Sequence, residues 1–389
     1  MRSISTLIYL FPIFQLLIFF ISRNYIIKRE LKYLFFIFQI FITTYISSVT
    51  TLYLKPGDYS VYTSIFNNCN NIDTCFQFSP WEPLFTLIVS SLGKTFNFSG
   101  HDLWTSINFL IVISLSFFSI LISKVIKNKY NFISIQAIAI AYTFPSFLTI
   151  SIRSGLSFCI VSIGILIYFF NKNNNKKLIK FLSVLLIISG VFIHIQSILL
   201  SFLGLVYIFS IKSFSLDIKK LVTRMQKGFV SGKFINLILL TLILGTVLNL
   251  FFGEIMITFG KVYYETYQVQ TLGLRSLADF VISFLFIIPR IYKLEIYKVK
   301  KSFKEFFDLF VTYYLLTFLI YYFSILIIGF EGLARNSQFN FLFLLLLYIT
   351  SIDRSETKKI FIISPVFYSI ICIYYSYFKD VSFGNLFLN

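Results

Sequence analysis

Charge is what this sequence has least of. Of its 389 residues, 13% are Asp, Glu, Lys or Arg, against about 25% in a soluble domain. Acids are the scarcer half, with 16 Asp and Glu beside 34 Lys and Arg. Histidine occurs twice, tryptophan twice and cysteine four times. The cysteines form no Cys-x-x-Cys pairs, so the sequence carries no zinc signature. It also has no Gly-rich phosphate loop, His-Glu-x-x-His pair, Asp-x-Asp motif or nucleophile elbow. These absences argue against ATP-driven work, zinc hydrolysis and metal-dependent transfer from nucleotide sugars. No cofactor and no metal are implied.

Apolar length fills the place of charge. The chain is 57% hydrophobic, with a mean hydropathy of +0.83. A bilayer crossing takes about 20 apolar residues. Runs of that order recur at 4–22, 33–53, 103–123, 131–150, 153–170, 178–193, 196–211, 234–252, 276–292, 306–328, 338–352 and 360–378. The fold class this predicts is all-α: a polytopic membrane protein of about twelve transmembrane helices, one integral domain over residues 1–389. Residues 54–102 and 253–275 read as two longer extracytoplasmic loops. Within the first, Leu84–Leu92 is too short to span alone and reads as a re-entrant or interfacial helix, permitted only where protein or water covers it.

The formal net charge of +18 does not point to nucleic acid, because the cations cluster between apolar runs. Segments 23–32, 124–129, 171–180, 212–233, 290–304 and 354–359 hold 26 of the 34 Lys and Arg. By the positive-inside rule they face the cytoplasm, with both termini outside. The basic loop 212–233 then reads as a topology signal in contact with anionic lipid headgroups. Eight cations remain outside: Arg2, Lys55, Lys94, Arg153, Lys261, Arg275, Arg335 and Lys379.

Those outside arginines are not explained as topology signals. Arg153 and Arg335 each sit at the outer end of a span, ahead of small or polar residues. Arg153 is followed by Ser154, Gly155 and Ser157, and Arg335 by Asn336, Ser337 and Gln338. Ionisable groups so placed usually face the bundle or a wet cavity. Guanidinium is a planar fork of donors suited to phosphate oxygens. Arg153 and Arg335, with Arg275, would hold a lipid-linked diphosphate without metal. The competing reading is that each arginine snorkels to the headgroups.

Other candidates lie on the same face. Residues 178–211 are too long for one ordinary span, so two short helices with His194 at the outer turn fit best. An imidazole there suits a general base, although a lone histidine at a turn is more often structural. His101 reads as a loop or helix-start residue. Trp81-Glu82-Pro83 holds a carboxylate between an aromatic ring and a proline, at the lip of the short helix. Tyr264 and Glu265 combine a flat ring with a carboxylate, as sugar recognition needs, and interfacial tyrosines are also ordinary. Cys69 and Cys75 share one polar loop. Outside the cell they can form a disulfide; otherwise they are free thiols.

Together these segments resemble the EpsG family of Wzy-type polysaccharide polymerases. The resemblance rests on Ile152-Arg153-Ser154-Gly155-Leu156-Ser157, then Phe192-Ile193-His194, with Glu82-Pro83 ahead of a short helix and Gly332-Leu333-Ala334-Arg335 late in the chain. Ser154 stands where that family often has glutamine. The resemblance implies a metal-independent glycosyltransferase of the bacterial plasma membrane, acting on its outer face. Its substrate would be an undecaprenyl-diphosphate-linked oligosaccharide, joined into an O-antigen or related surface polysaccharide. Arg153 and Arg335, with Arg275, would hold the leaving diphosphate. His194, or alternatively Glu82, would be the base. Trp81, Tyr264 and Glu265 would contact sugar, and a flippase and a chain-length regulator are the implied protein partners. The alternatives are a lipid-linked oligosaccharide flippase of the same pathway, a membrane O-acyltransferase that modifies surface sugars, or a membrane scaffold.

Overall fold

The computed structural model describes residues 2–24, 29–55, 59–69, 71–125, 132–144, 148, 151–171, 177–209, 309, 313, 316–317 and 364–373. Regular structure among the described residues is entirely helical. The helices are α1 (Arg2–Asn24), α2 (Arg29–Leu54), α3 (Tyr59–Phe66), α4 (Ile72–Phe78), α5 (Pro83–Phe96) and α6 (Gly100–Val125). Then come α7 (Phe132–Thr143), α8 (Ile152–Asn171), α9 (Lys177–Ile193), α10 (Ile198–Phe209) and α11 (Ser364–Ile373). The spans expected at 234–252, 276–292 and 338–352, and the loop 253–275, lie outside the described residues.

Among the described residues, three helices are long and apolar enough to cross a membrane: Glu30–Leu54, Gly100–Lys124 and Ile152–Asn171. At 1.5 Å per residue, the 20 residues of α8 reach about 30 Å, the thickness of a bilayer core. The side chains of α2 are arranged as lipid demands. Leu34, Phe38, Phe41, Tyr45 and Leu52 form an exposed apolar stripe, while Gln39, Thr43, Ser47 and Thr50 are buried on another face. Apolar groups outside and polar groups inside reverse the order that water imposes, and fit a helix with lipid on one side.

The helices depart from the apolar runs in two places. Within the run at 131–150, the helix α7 ends at Thr143. Phe144-Pro145 follows in sequence, and the residue before a proline is disfavoured in the α region, which stops the helix there. Residues 59–96, expected as a loop with one short helix, hold three helices. Asn71 caps α4 by accepting from the Asp73 amide at 3.3 Å. Pro83 starts α5 at a position where a missing N–H costs nothing. With 14 residues, α5 is about 21 Å long, too short to span.

Small residues bring α8 and α9 together. A Cβ on Gly190 would collide with Val161, and one on Gly164 would lie 2.9 Å from the Ser183 carbonyl oxygen. The Ser157 hydroxyl donates to the Gly190 carbonyl at 2.8 Å. Past His194 the chain turns back. Ser201 on α10 donates to the Ile187 carbonyl on α9 at 3.1 Å, and Lys180 at the start of α9 lies 4.8 Å from the Phe209 ring at the end of α10. Helices α9 and α10 are therefore an antiparallel hairpin, with His194 at its tip.

Candidate functional site

The site is assembled from three segments distant in sequence: the start of α5, the start of α8 and the tip of the α9–α10 hairpin. Glu82 is the N-cap residue of α5, yet its side chain makes no capping bond. It points across to α8 and the hairpin instead. Arg153 Nη1 donates to Glu82 Oε2 at 2.8 Å. His194 Nδ1 meets Glu82 Oε1 at 3.0 Å, and the Ile195 backbone N–H donates to the same oxygen at 3.1 Å. Glu82 is 0% exposed, His194 5% and Arg153 8%.

That burial settles the electrostatics. A carboxylate removed from water costs several kcal/mol unless it is paired and hydrogen-bonded. Here a guanidinium, a backbone amide and an imidazole supply both. An ionised carboxylate only accepts, so the His194 proton facing it is on Nδ1. The other imidazole nitrogen, Nε2, faces Gln196 Oε1 at 3.1 Å. The Ser154 hydroxyl donates to that same amide oxygen at 3.4 Å. His194 has extended backbone between α9 and the 3-10 turn Ile195–Ser197, and the Ser197 hydroxyl donates to its carbonyl at 3.0 Å. This break in the helix is what swings the imidazole toward Glu82.

An aromatic wall backs the arginine. Arg153 Nε donates to the Tyr62 hydroxyl, and its guanidinium carbon lies 5.4 Å from the Tyr62 ring centre and 5.9 Å from that of Trp81. These distances allow cation–π attraction. Tyr62 and Trp81 stack with centroids 4.8 Å apart. The Cys69–Cys75 disulfide closes the turn between α3 and α4, with Cα atoms 4.3 Å apart. The backbone of Cys69 lies against Gly93 of α5, so close that a Cβ there would come within 2.6 Å of its carbonyl oxygen. The bridge thus ties α3, which carries Tyr62, to α4, and the Cys69 backbone packs this pair on α5, which follows Glu82.

A second polar cluster adjoins the first through α3. Tyr59, one turn before Tyr62, places its hydroxyl 2.6 Å from His101 Nδ1. Burial pushes the Tyr59 phenol up, so it meets the imidazole as a neutral hydroxyl. His101 Nε2 lies 2.8 Å from Ser48 Oγ, which is 2.8 Å from Thr105 Oγ1. Tyr59 and Tyr62 both pack edge-on against Trp104.

The structure therefore brings Glu82, Arg153, His194 and Trp81 into one site, and bridges Cys69 with Cys75. Arg153 does not snorkel: it is buried against a carboxylate. Arg275, Arg335, Tyr264 and Glu265 lie outside the described residues. Among the described residues no group of three or more His, Cys, Asp or Glu side chains could hold a metal ion. Sequence reasoning did not single out Tyr62 or Ser154 as contact residues. Tyr62 is one of 25 tyrosines, and nothing in its local pattern marks it. Gln196 carried a readable signal, a second polar side chain two positions from a buried histidine.

No protein-family profile, no curated protein and no solved structure matches this chain.

Proposed function

We propose that the chain is a polysaccharide polymerase, joining undecaprenyl-diphosphate-linked repeat units on the outer face of a bacterial plasma membrane within a bundle of about twelve spans. One observation carries the reading. Three of the four segments on which the polymerase resemblance rests, at Glu82, Arg153 and His194, meet in one buried site although 71 and 41 residues separate them.

The chemistry follows from that contact. The acceptor sugar's hydroxyl gives its proton to His194 Nε2. Its oxygen bonds to the anomeric carbon at the reducing end of the growing chain. The bond from that carbon to the diphosphate oxygen breaks, and undecaprenyl diphosphate leaves with the electron pair. Both Glu82 oxygens already accept hydrogen bonds. Of the two candidate bases, His194 is therefore the one we assign, and Glu82 positions it. With Nε2 unprotonated as the base, proton transfer changes the Glu82–Arg153–His194 trio from neutral to a net charge of +1. Positive charge then appears as negative charge builds on the leaving diphosphate, where it stabilises most. Arg335 and Arg275 complete the diphosphate clamp in this proposal. Trp81, Tyr264 and Glu265 contact sugar.

Polymer ladders from cells carrying Arg153→Ala, Arg335→Ala or His194→Ala, at matched protein levels, test the assignment. Each variant should lose the long chains and leave single repeat units on the surface. Normal ladders from all three would refute it.

The second reading is a flippase of the same pathway. It is favoured by the buried polar side chains Gln15, Gln39, Thr43, Ser47 and Asn108 within the helices. A strain without the protein separates the two. Single units displayed outside indicate a lost polymerase, and units trapped inside a lost flippase.

A further inference from the structure

Gln196 sits where an incoming hydroxyl would have to go. With Nδ1 of His194 held by the Glu82 carboxylate, the nitrogen that can take a proton is Nε2, and the Gln196 amide lies 3.1 Å from it. The amide is itself held, since Ser154 on α8 donates to its oxygen at 3.4 Å. Gln196 and Ser197 are buried in the short 3-10 turn that follows the histidine, which keeps the amide beside the imidazole in the resting protein.

Hydrogen-bond directions make this contact two-valued. An amide oxygen accepts, so Nε2 facing it must carry a proton, and the imidazole is then a cation between Glu82 and Gln196. With the amide reversed, its NH2 donates to a lone pair on Nε2, and the imidazole is neutral. Either state covers Nε2, and neither presents a lone pair to the outside.

We infer that Gln196 is a cap on His194: it covers Nε2 in the resting protein and is displaced by the hydroxyl that the histidine deprotonates. Gln196 is thus a positioning residue, and its meaning for chain growth rests on the polymerase reading above. Ser154 anchors the amide in its covering position, through its bond to the amide oxygen. The cap keeps the base from water until a sugar hydroxyl arrives, which matters for an enzyme whose donor would otherwise be lost to hydrolysis.

The test reads the imidazole directly. Diethyl pyrocarbonate acylates an unprotonated, accessible imidazole nitrogen, and peptide mass spectrometry resolves His194 from His101. The full-length protein in membrane vesicles is treated at neutral pH, with His101 as internal reference. Gln196→Ala should raise the His194 rate about fivefold, the equivalent of one ordinary hydrogen bond. Gln196→Asn, which withdraws the amide by one carbon, should raise it too and serves if the alanine variant fails to accumulate. Gln196→Glu places a carboxylate at Nε2, holds a proton there, and should slow the modification below wild type. An unchanged His194 rate in the alanine and asparagine variants overturns the cap, as does a faster rate in the glutamate variant. The polymerase reading fails separately: normal polymer ladders from His194→Ala would remove the catalytic role while leaving the acylation result standing.

Discussion

The pairing of Glu82 with Arg153 makes a prediction whose size follows from burial. Glu82→Gln keeps the shape and removes the charge. Arg153, 8% exposed, is then left as a buried cation beside an amide. Removing one member of a buried ion pair costs about 3–5 kcal/mol. The Ile195 N–H and His194 Nδ1–H still find an amide oxygen, so their share of the loss is small, and about 3–4 kcal/mol is expected for the single change. Arg153→Gln leaves Glu82 charged and fully buried without its guanidinium partner, and should cost a similar amount. The double variant carries two neutral amides that can bond to each other and removes both charges together. It should be more stable than the sum of the single losses by at least about 2 kcal/mol. Unfolding by a graded detergent titration measures this cycle. The protein's own fluorescence reports on the site, because its two tryptophans, Trp81 and Trp104, both pack on Tyr62. Losses that simply add, within about 0.5 kcal/mol, would show that the two side chains are not coupled and would refute the site's geometry.

Further consequences concern the frame around the site. Alkylation of the unreduced protein should leave Cys69 and Cys75 unmodified, and both should react after reduction. Replacing both by serine should cost about 2 kcal/mol from a bridge that closes a separation of six residues. Gly190→Ala forces a Cβ into Val161 and should cost about 1–3 kcal/mol, read as lost folded protein in detergent. Gly204→Ala, which meets the movable end of Ile165, should cost less.

How much of this was readable depended on the range of the interaction. Helix existence in the apolar runs was local, and composition carried it; α3 and α4 lie in a polar segment that reads as loop. Proline at the start of α5 marked that helix correctly. Phe144-Pro145 carried the stop of α7 equally well, but hydropathy runs straight through it and the apolar run at 131–150 concealed it. The hairpin at His194 was readable because 178–211 is too long for one crossing and too short for two long ones. The Glu82–Arg153 pair was not readable. The positive-inside count isolated Arg153 as a cation without a topological reason, and Trp81-Glu82-Pro83 stood out as a held carboxylate. Nothing in period or spacing joins residues 82 and 153; only packing of α5 near the α8–α9 pair does. The sequence offers Arg153 to a diphosphate or to headgroups, and gives no sign that a carboxylate and a phenol also hold it. Tyr62 shows the same limit, since a side chain's contact across 91 residues leaves no local trace.

Reconstitution tests the central claim most directly. The purified protein in lipid vesicles is given undecaprenyl-diphosphate-linked repeat units on the side to which Glu82, Arg153 and His194 face. The account predicts a ladder of joined units, one undecaprenyl diphosphate released per bond formed, no requirement for added metal, and no ladder from His194→Ala. Units that move across the bilayer without being joined would contradict it.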